Sequence, residues 1–250
     1  MIQLTLIKIT GYGPWTLTLG SDREHKLQML QASLYREIQS LFSEKGCLAF
    51  QNRFDEIFVI TNGLSLGDHV EIQEKLAKAF DLGFSMTIGR GGTPYEANLD
   101  ADSARREKAV LDDKHNIFGH KPEGEADRVQ IIHMDVDGST SISGKKSPYE
   151  VSSLIAKLYA SMSEFFLSRG SLSFFMGGDN FMIISPGIAK GEIEKFLSLV
   201  REQYGISFNC GIGNATTGRA AARMATQSLD KIRELRDSGN GTQRILESTC

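Results

Sequence analysis

Apolar residues along the chain fall into two kinds of pattern, and the two kinds alternate. Short apolar runs open two stretches, Ile2–Ile9 and Gln130–Val136, and each reads as a β-strand. Each is followed by a long segment with helical spacing, roughly Glu24–Ser43 and Pro148–Ser168. Next come two hairpin patterns rich in Phe and Ile, Leu48–Ile60 and Leu172–Ile184. A second helix is predicted over Gly67–Phe80 and Gly191–Tyr204, then a closing strand over Phe84–Gly89 and Ser207–Gly213, then a third helix. The two series are one pattern written twice. An offset of 124 residues carries Asp55 onto Asp179, Leu34-Tyr35 onto Leu158-Tyr159 and Ile88-Gly89 onto Ile212-Gly213. The first strand needs an offset of 127, which carries Gln3 onto Gln130 and Gly11 onto Gly138. The order β-α-β-β-α-β predicts an α+β fold made of two tandem ferredoxin-like domains. Each is expected to be an antiparallel sheet with helices on one face. The first strand and the hairpin then lie side by side, so the end of strand one meets the hairpin turn.

A chain of 250 residues accommodates two such domains. The expected division is 1–111, a linker over 112–128 where KPEGEAD lacks apolar periodicity, and 129–250. Hydrophobic residues make up 40% and charged residues 24%, an ordinary globular balance. The formal net charge of -3 argues against nucleic acid as a partner. The opening MIQLTLIKITGYG carries Lys8 within a short apolar run and is read as a strand, not a signal peptide or membrane span. Three scattered cysteines, Cys47, Cys210 and Cys250, suit a reducing, cytoplasmic setting. Neither they nor the five histidines have zinc-site spacing, and His115 and His120 are read as a solvated loop pair.

Chemistry concentrates in the second half. Its first strand ends Met134-Asp135-Val136-Asp137-Gly138-Ser139-Thr140, and its hairpin turns at Gly177-Gly178-Asp179-Asn180. Taken alone, the turn is simply a good hairpin turn and the strand end a solvated one. Together, at adjoining strand ends, Asp135 and Asp179 make a hard oxygen site suited to Mg²⁺. The glycines permit positive φ and close approach of a bulky ligand. Gly138, Ser139 and Thr140 offer N–H and hydroxyl donors to phosphate oxygens. The first half differs: Lys8 stands at the position of Asp135, Thr10 at that of Asp137, and Arg53-Phe54 at that of Gly177-Gly178. No second Mg²⁺ site is expected there. Asp55 is left with two readings, a surface ion pair with Arg53 or an acceptor for guanine N–H groups. Tyr12 and Trp15 likewise read as core packing or as stacking partners for a base.

A strand ending in Asp-x-Asp before a Gly-Gly-Asp hairpin resembles the palm domain of nucleotidyl cyclases and GGDEF proteins, where two aspartates hold the cations on a nucleoside triphosphate. Asp230-Lys231-Ile232-Arg233 extends that likeness, which implies that Lys231 reaches phosphates. Almost the whole chain is similar to the GTP cyclohydrolase III family. The residues that carry the likeness are Tyr12-Gly13-Pro14-Trp15-Thr16, Asn52-Arg53-Phe54-Asp55, Thr61-Asn62-Gly63, Thr93-Pro94-Tyr95-Glu96-Ala97, Gly177-Gly178-Asp179-Asn180-Phe181 and Lys231-Ile232-Arg233. The resemblance implies two tandem palm domains and hydrolysis of GTP to 2-amino-5-formylamino-6-ribosylamino-4(3H)-pyrimidinone 5′-phosphate and inorganic phosphate. It implies Mg²⁺, with help from a monovalent cation such as K⁺, and a homo-oligomer. By the same resemblance Asp135, Asp179 and Lys231 carry catalysis, and Asp135, the Val136 carbonyl, Asp137 and Asp179 hold metal. Substrate falls to Asn52, Arg53, Asp55, Tyr12, Trp15, Gly138, Ser139, Thr140, Gly177, Gly178 and Asn180. Two other functions compete at this stage: a nucleotidyl cyclase using the same metal site, and a non-catalytic GTP sensor.

Overall fold

The computed structural model describes residues 1–120, 128–139, 144–239 and 243–249. It divides into two compact units, Met1–Gly92 with Glu96–Asp127, and Thr93–Tyr95 with Arg128–Cys250. Each unit is built on its own sheet.

The first unit runs β1 (Ile2–Ile9), α1 (Tyr12–Thr18), α2 (Glu24–Glu44), β2 (Leu48–Arg53), β3 (Glu56–Ile60), α3 (Leu66–Ala79), β4 (Phe84–Gly91), α4 (Pro94–Glu107), β5 (Val110–Asp112) and β6 (Ile117–Gly119). The sheet order is β2-β3-β1-β4-β6-β5. Its first four strands are the expected antiparallel set, with β1 paired to β3 and β4. Side-chain alternation places Ile7, Ile9, Val59, Met86 and Ile88 in one core with Leu34, Ile38 and Phe42 of α2 and Ile72 and Leu76 of α3. The β5–β6 hairpin falls partly within the stretch read as linker. Ile117 is fully buried, and β6 pairs parallel with β4. Two apolar residues between turns are too few to register as a periodic pattern. Residues 121–127 lie outside the described residues.

The expected loop histidines are tied down. His115 contacts Asp112 and Glu74, and His120 Nδ1 lies 2.8 Å from Asp100 with Glu107 at its other nitrogen. The hydrogen bond to Asp100 raises the pKa of His120 above its ordinary 6.5, against the opposing pull of desolvation and with help from Glu107. A raised folded-state value means the contribution to stability is fully present below the unfolded value and is lost as pH rises through the folded one. The expected result is a melting-temperature difference between wild type and His120→Gln that is largest below pH 6.5 and shrinks above it. A difference that grows with pH contradicts the assignment.

The second unit repeats the plan: β7 (Val129–Val136), α5 (Pro148–Leu167), β8 (Leu172–Gly177), β9 (Asn180–Ser185), α6 (Lys190–Tyr204), β10 (Phe208–Ala215), α7 (Gly218–Asp237) and β11 (Ile245–Thr249). The order is β11-β10-β7-β9-β8, with β11 added parallel to β10. Ser147 and Glu150 form a capping box that fixes where α5 starts. Ile132, Met134 and Val136 face α5 and α6 in the core, among Phe166, Phe181, Phe196 and Phe208. The alternate residues of β7 and β10 face α7. There Gly211 and Gly213 let the helix come very close: a Cβ at Gly211 would stand 1.9 Å from the Ala225 carbonyl, and one at Gly213 2.1 Å from that of Ala221. The two long helices of the repeat therefore share one sheet face, and the trailing helix closes on the other. That close approach sets the height of α7 above the strand that carries Asp135.

Candidate functional site

Asp135 occupies the penultimate position of β7, on the side that faces α7. Its residue is only 7% exposed. Arg233 of α7 donates to its Oδ2 at 2.5 Å. Oδ1 is buried and, among the described residues, has no hydrogen-bond partner. A buried, unpartnered carboxylate oxygen is costly for a fold to keep. It is also what a hard cation needs, so the residues present fit Mg²⁺. Among the described residues no cluster of three or more His, Cys, Asp or Glu side chains forms. The carboxylates at the adjoining strand end and turn are those of Asp135 and Asp179.

The hairpin meets Asp135 through the backbone. Asp135 is in register with Asn180, and the Val136 N–H donates to the Asp179 carbonyl at 3.3 Å. Gly177 and Gly178 adopt φ of 105° and 62°, the left-handed region that lets the turn close tightly. Asn180 Nδ2 donates to Asp179 Oδ1 at 3.0 Å, and Asn180 Oδ1 accepts from His133 Nε2 at 3.1 Å. His133 Nδ1 in turn faces the Thr226 hydroxyl at 3.1 Å. This chain fixes the tautomer of His133 and the orientation of Asn180. Burial pushes the His133 pKa down, against the bond to Asn180. Beside the turn, a cavity of about 580 Å³ is lined by Ser139, Tyr159, Phe175, Gly178 and Asp179, among others. That volume suits a small-molecule ligand.

Other expected site residues are placed differently. Asp137 sits just past β7 and is engaged by two arginines, Arg244 at 2.8 Å and Arg236 at 3.1 Å, and by Asn209 at 3.4 Å. Burial works to raise its pKa, but Arg244, Asn209 and Arg236 outweigh it and hold the carboxyl below its usual range. Lys231 is exposed on α7, and Arg233 takes the place beside Asp135. Gly138 has φ 71° and open space around it. Thr140 lies outside the described residues.

In the first unit, Lys8 stands 3.7 Å from Glu56. Glu56 also accepts from Asn52 at 2.9 Å and from Arg53 at 3.4 Å, while Arg53 lies 3.5 Å from Asp55. Cations and carboxylates at this turn thus neutralise one another. Tyr12 packs against the first core, and its hydroxyl accepts from Gln31 at 2.6 Å. Trp15 lies against it with ring centroids 6.0 Å apart. Sequence reasoning missed Glu56, His133 and Arg233 as site residues. Two signals pointed to them: Glu56 holds the repeat position of Asn180, and His133 precedes Asp135 by two, the strand period.

The fold is α+β, two units that repeat one β-α-β-β-α-β order, and the second carries Asp135 and Asp179 at an adjoining strand end and turn. The chain matches the family model of GTP cyclohydrolase III over residues 1–244. It is 35% identical over 247 residues to the GTP cyclohydrolase III of Methanobrevibacter smithii, covering 96% of each chain. It is 33% identical over 236 residues to that of Methanothermobacter thermautotrophicus, covering 93% of this chain and 95% of the relative. Among solved structures, a bacterial light-regulated adenylyl cyclase aligns with 99% of this chain and 86% of its own at 12% identity, with a TM-score of 0.42. The chain belongs to the GTP cyclohydrolase III family of enzymes. Among the described residues no helix is long and apolar enough to cross a membrane.

Proposed function

We propose that this protein opens the imidazole ring of GTP, retains the formyl group and cleaves the triphosphate. The products are 2-amino-5-formylamino-6-ribosylamino-4(3H)-pyrimidinone 5′-phosphate and inorganic phosphate. The observation that carries this reading is Asp135, buried at a strand end with one carboxylate oxygen unpartnered beside a Gly-Gly-Asp turn. Family membership supplies the substrate class.

Asp135 Oδ1, Asp179 and the Val136 carbonyl are the groups that would hold Mg²⁺. When bound, the cation offsets triphosphate charge and stabilises charge on the leaving phosphate oxygens. Arg233 holds Asp135 in place from the other side, through its bond to Oδ2. The His133–Asn180 chain holds the Asp179 side chain. Ser139 offers a hydroxyl donor at the cavity wall, and the positive-φ turn at Gly177 and Gly178 keeps side chains out of the way of phosphates. Tyr159 and Phe175 give the cavity apolar walls that limit water. One water enters the base at C8 as the C8–N9 bond breaks, and each phosphoanhydride bond cleaved consumes another. Buried, unpaired Cys47 and Cys210 suit a reducing cytoplasm.

Phosphate release from GTP tests this reading. It is expected to require Mg²⁺, to be stimulated by K⁺, and to fail when Zn²⁺ alone is supplied. Full activity in a chelator, or with Zn²⁺ alone, overturns the assignment.

A further inference from the structure

The two carboxylates of the second unit are held by unlike means. Asp135 stands within a strand, with Arg233 on its Oδ2. Asp179 stands in a turn, after Gly177 and Gly178 at positive φ. Among the described residues its side chain has one hydrogen bond, from Asn180 Nδ2 to Oδ1 at 3.0 Å. A carboxylate on a glycine-rich turn loses freedom when a cation orders it. A bond that orders it beforehand lowers that cost.

The direction of this bond propagates. A carboxylate only accepts, so Asn180 turns Nδ2 to Asp179 and leaves its Oδ1 to accept from His133 Nε2 at 3.1 Å. The ring proton then sits on Nε2, and Nδ1 accepts from the Thr226 hydroxyl at 3.1 Å. Every donor in the chain points toward Asp179. Thr226 shares its face of α7 with Arg233, two helical turns further on. Its short side chain reaches the sheet because Gly211, opposite His133 on β10, lets α7 sit close. One helix therefore secures both carboxylates, Asp135 directly and Asp179 through two intermediaries.

The repeat shows that the fold does not need this chain. Leu6 stands at the position of His133, Glu56 at that of Asn180 and Asp102 at that of Thr226. Leu6 is buried and pairs in the same register, so an apolar residue satisfies the sheet there. Asp102 bonds Arg105 and Arg106 of its own helix instead. We infer that Thr226, which bonds to neither carboxylate, is a positioning residue for Asp179, acting through His133 and Asn180. This role rests on the proposed Mg²⁺ site and adds to it a residue of α7.

Thr226→Val removes the donor at nearly constant volume, and Thr226→Ser keeps it. Nitrogen NMR of the metal-free full chain, with isotope-labelled histidine, reads the ring without turnover. Wild type is expected to carry the His133 proton on Nε2, slow to exchange with water, and Thr226→Val to exchange it faster. Phosphate release from GTP reads the consequence. Thr226→Val is expected to raise the Mg²⁺ concentration for half-maximal rate by roughly tenfold or more, the scale on which partners of metal ligands act. Its kcat at saturating Mg²⁺ is retained, and Thr226→Ser restores the wild-type requirement. His133→Leu, which installs the first unit's own residue, is expected to fold and to raise the Mg²⁺ requirement alike. Three results overturn the role: a His133 proton on Nδ1, a wild-type Mg²⁺ requirement in Thr226→Val, or a Thr226→Ser protein as impaired as Thr226→Val. Wild-type turnover without Mg²⁺ removes the metal site itself, whereas a Mg²⁺ requirement indifferent to Thr226 removes only the positioning role.

Discussion

Asp135→Ala is expected to lose GTP turnover by roughly a thousandfold or more, the scale on which removal of transition-state charge stabilisation acts, while its melting temperature holds or rises. The two halves of this expectation have one cause. The wild-type fold keeps a carboxylate buried with Oδ1 unpartnered among the described residues, which costs stability. Alanine removes that cost. It does not strand Arg233, whose side chain is 38% exposed and is free to rehydrate. Wild type is expected to show a Mg²⁺- and GTP-dependent rise in melting temperature, and the variant is expected to lose it. Activity lost together with a large fall in stability would make Asp135 a structural residue, and a wild-type rate would remove it from the site.

Gly211→Ala is expected to destabilise the second unit by about 3 kcal/mol, at the upper end of overpacking effects. That corresponds to a fall of about 10 °C in melting temperature. The added Cβ would stand 1.9 Å from the Ala225 carbonyl and 2.7 Å from the Leu229 nitrogen. These are backbone atoms of α7, so no side chain can rotate away and the helix itself must shift. Since α7 carries Arg233, activity should fall as well. Gly191→Ala is the control, because nothing lies within 4 Å of its added Cβ and its φ is ordinary. A Gly211→Ala protein that melts like wild type shows that α7 is not set by this contact.

The repeat made most of the architecture legible in the sequence. An offset that holds over many positions predicts two copies of one sheet, and the first four strands of each appear in the expected order. The β5–β6 hairpin escaped because Ile117 and Phe118 sit between turn residues without a period to reveal them. The meeting of Asp135 with the Gly-Gly-Asp turn was legible because strand neighbours follow from topology. Which residue of α7 meets Asp135 was not. Lys231 and Arg233 differ by about 200° around a helix, and the family likeness drew attention to Lys231. Arg233 is the one that bonds Asp135, whereas the likeness concerned Lys231 as a residue that reaches phosphates, a different contact. The pairing of Asp137 with Arg236 and Arg244 was equally hidden, since Arg244 comes from a segment with no chemical pattern of its own.

The proposed ring-opening hydrolysis of GTP at the Asp135–Asp179 site is tested most directly by mass spectrometry of the products after incubation with GTP, Mg²⁺ and K⁺. The predicted product is a nucleoside monophosphate whose base has gained one water, accompanied by inorganic phosphate and absent with Asp135→Ala. A cyclic nucleotide with pyrophosphate, or GTP returned unchanged, would contradict it.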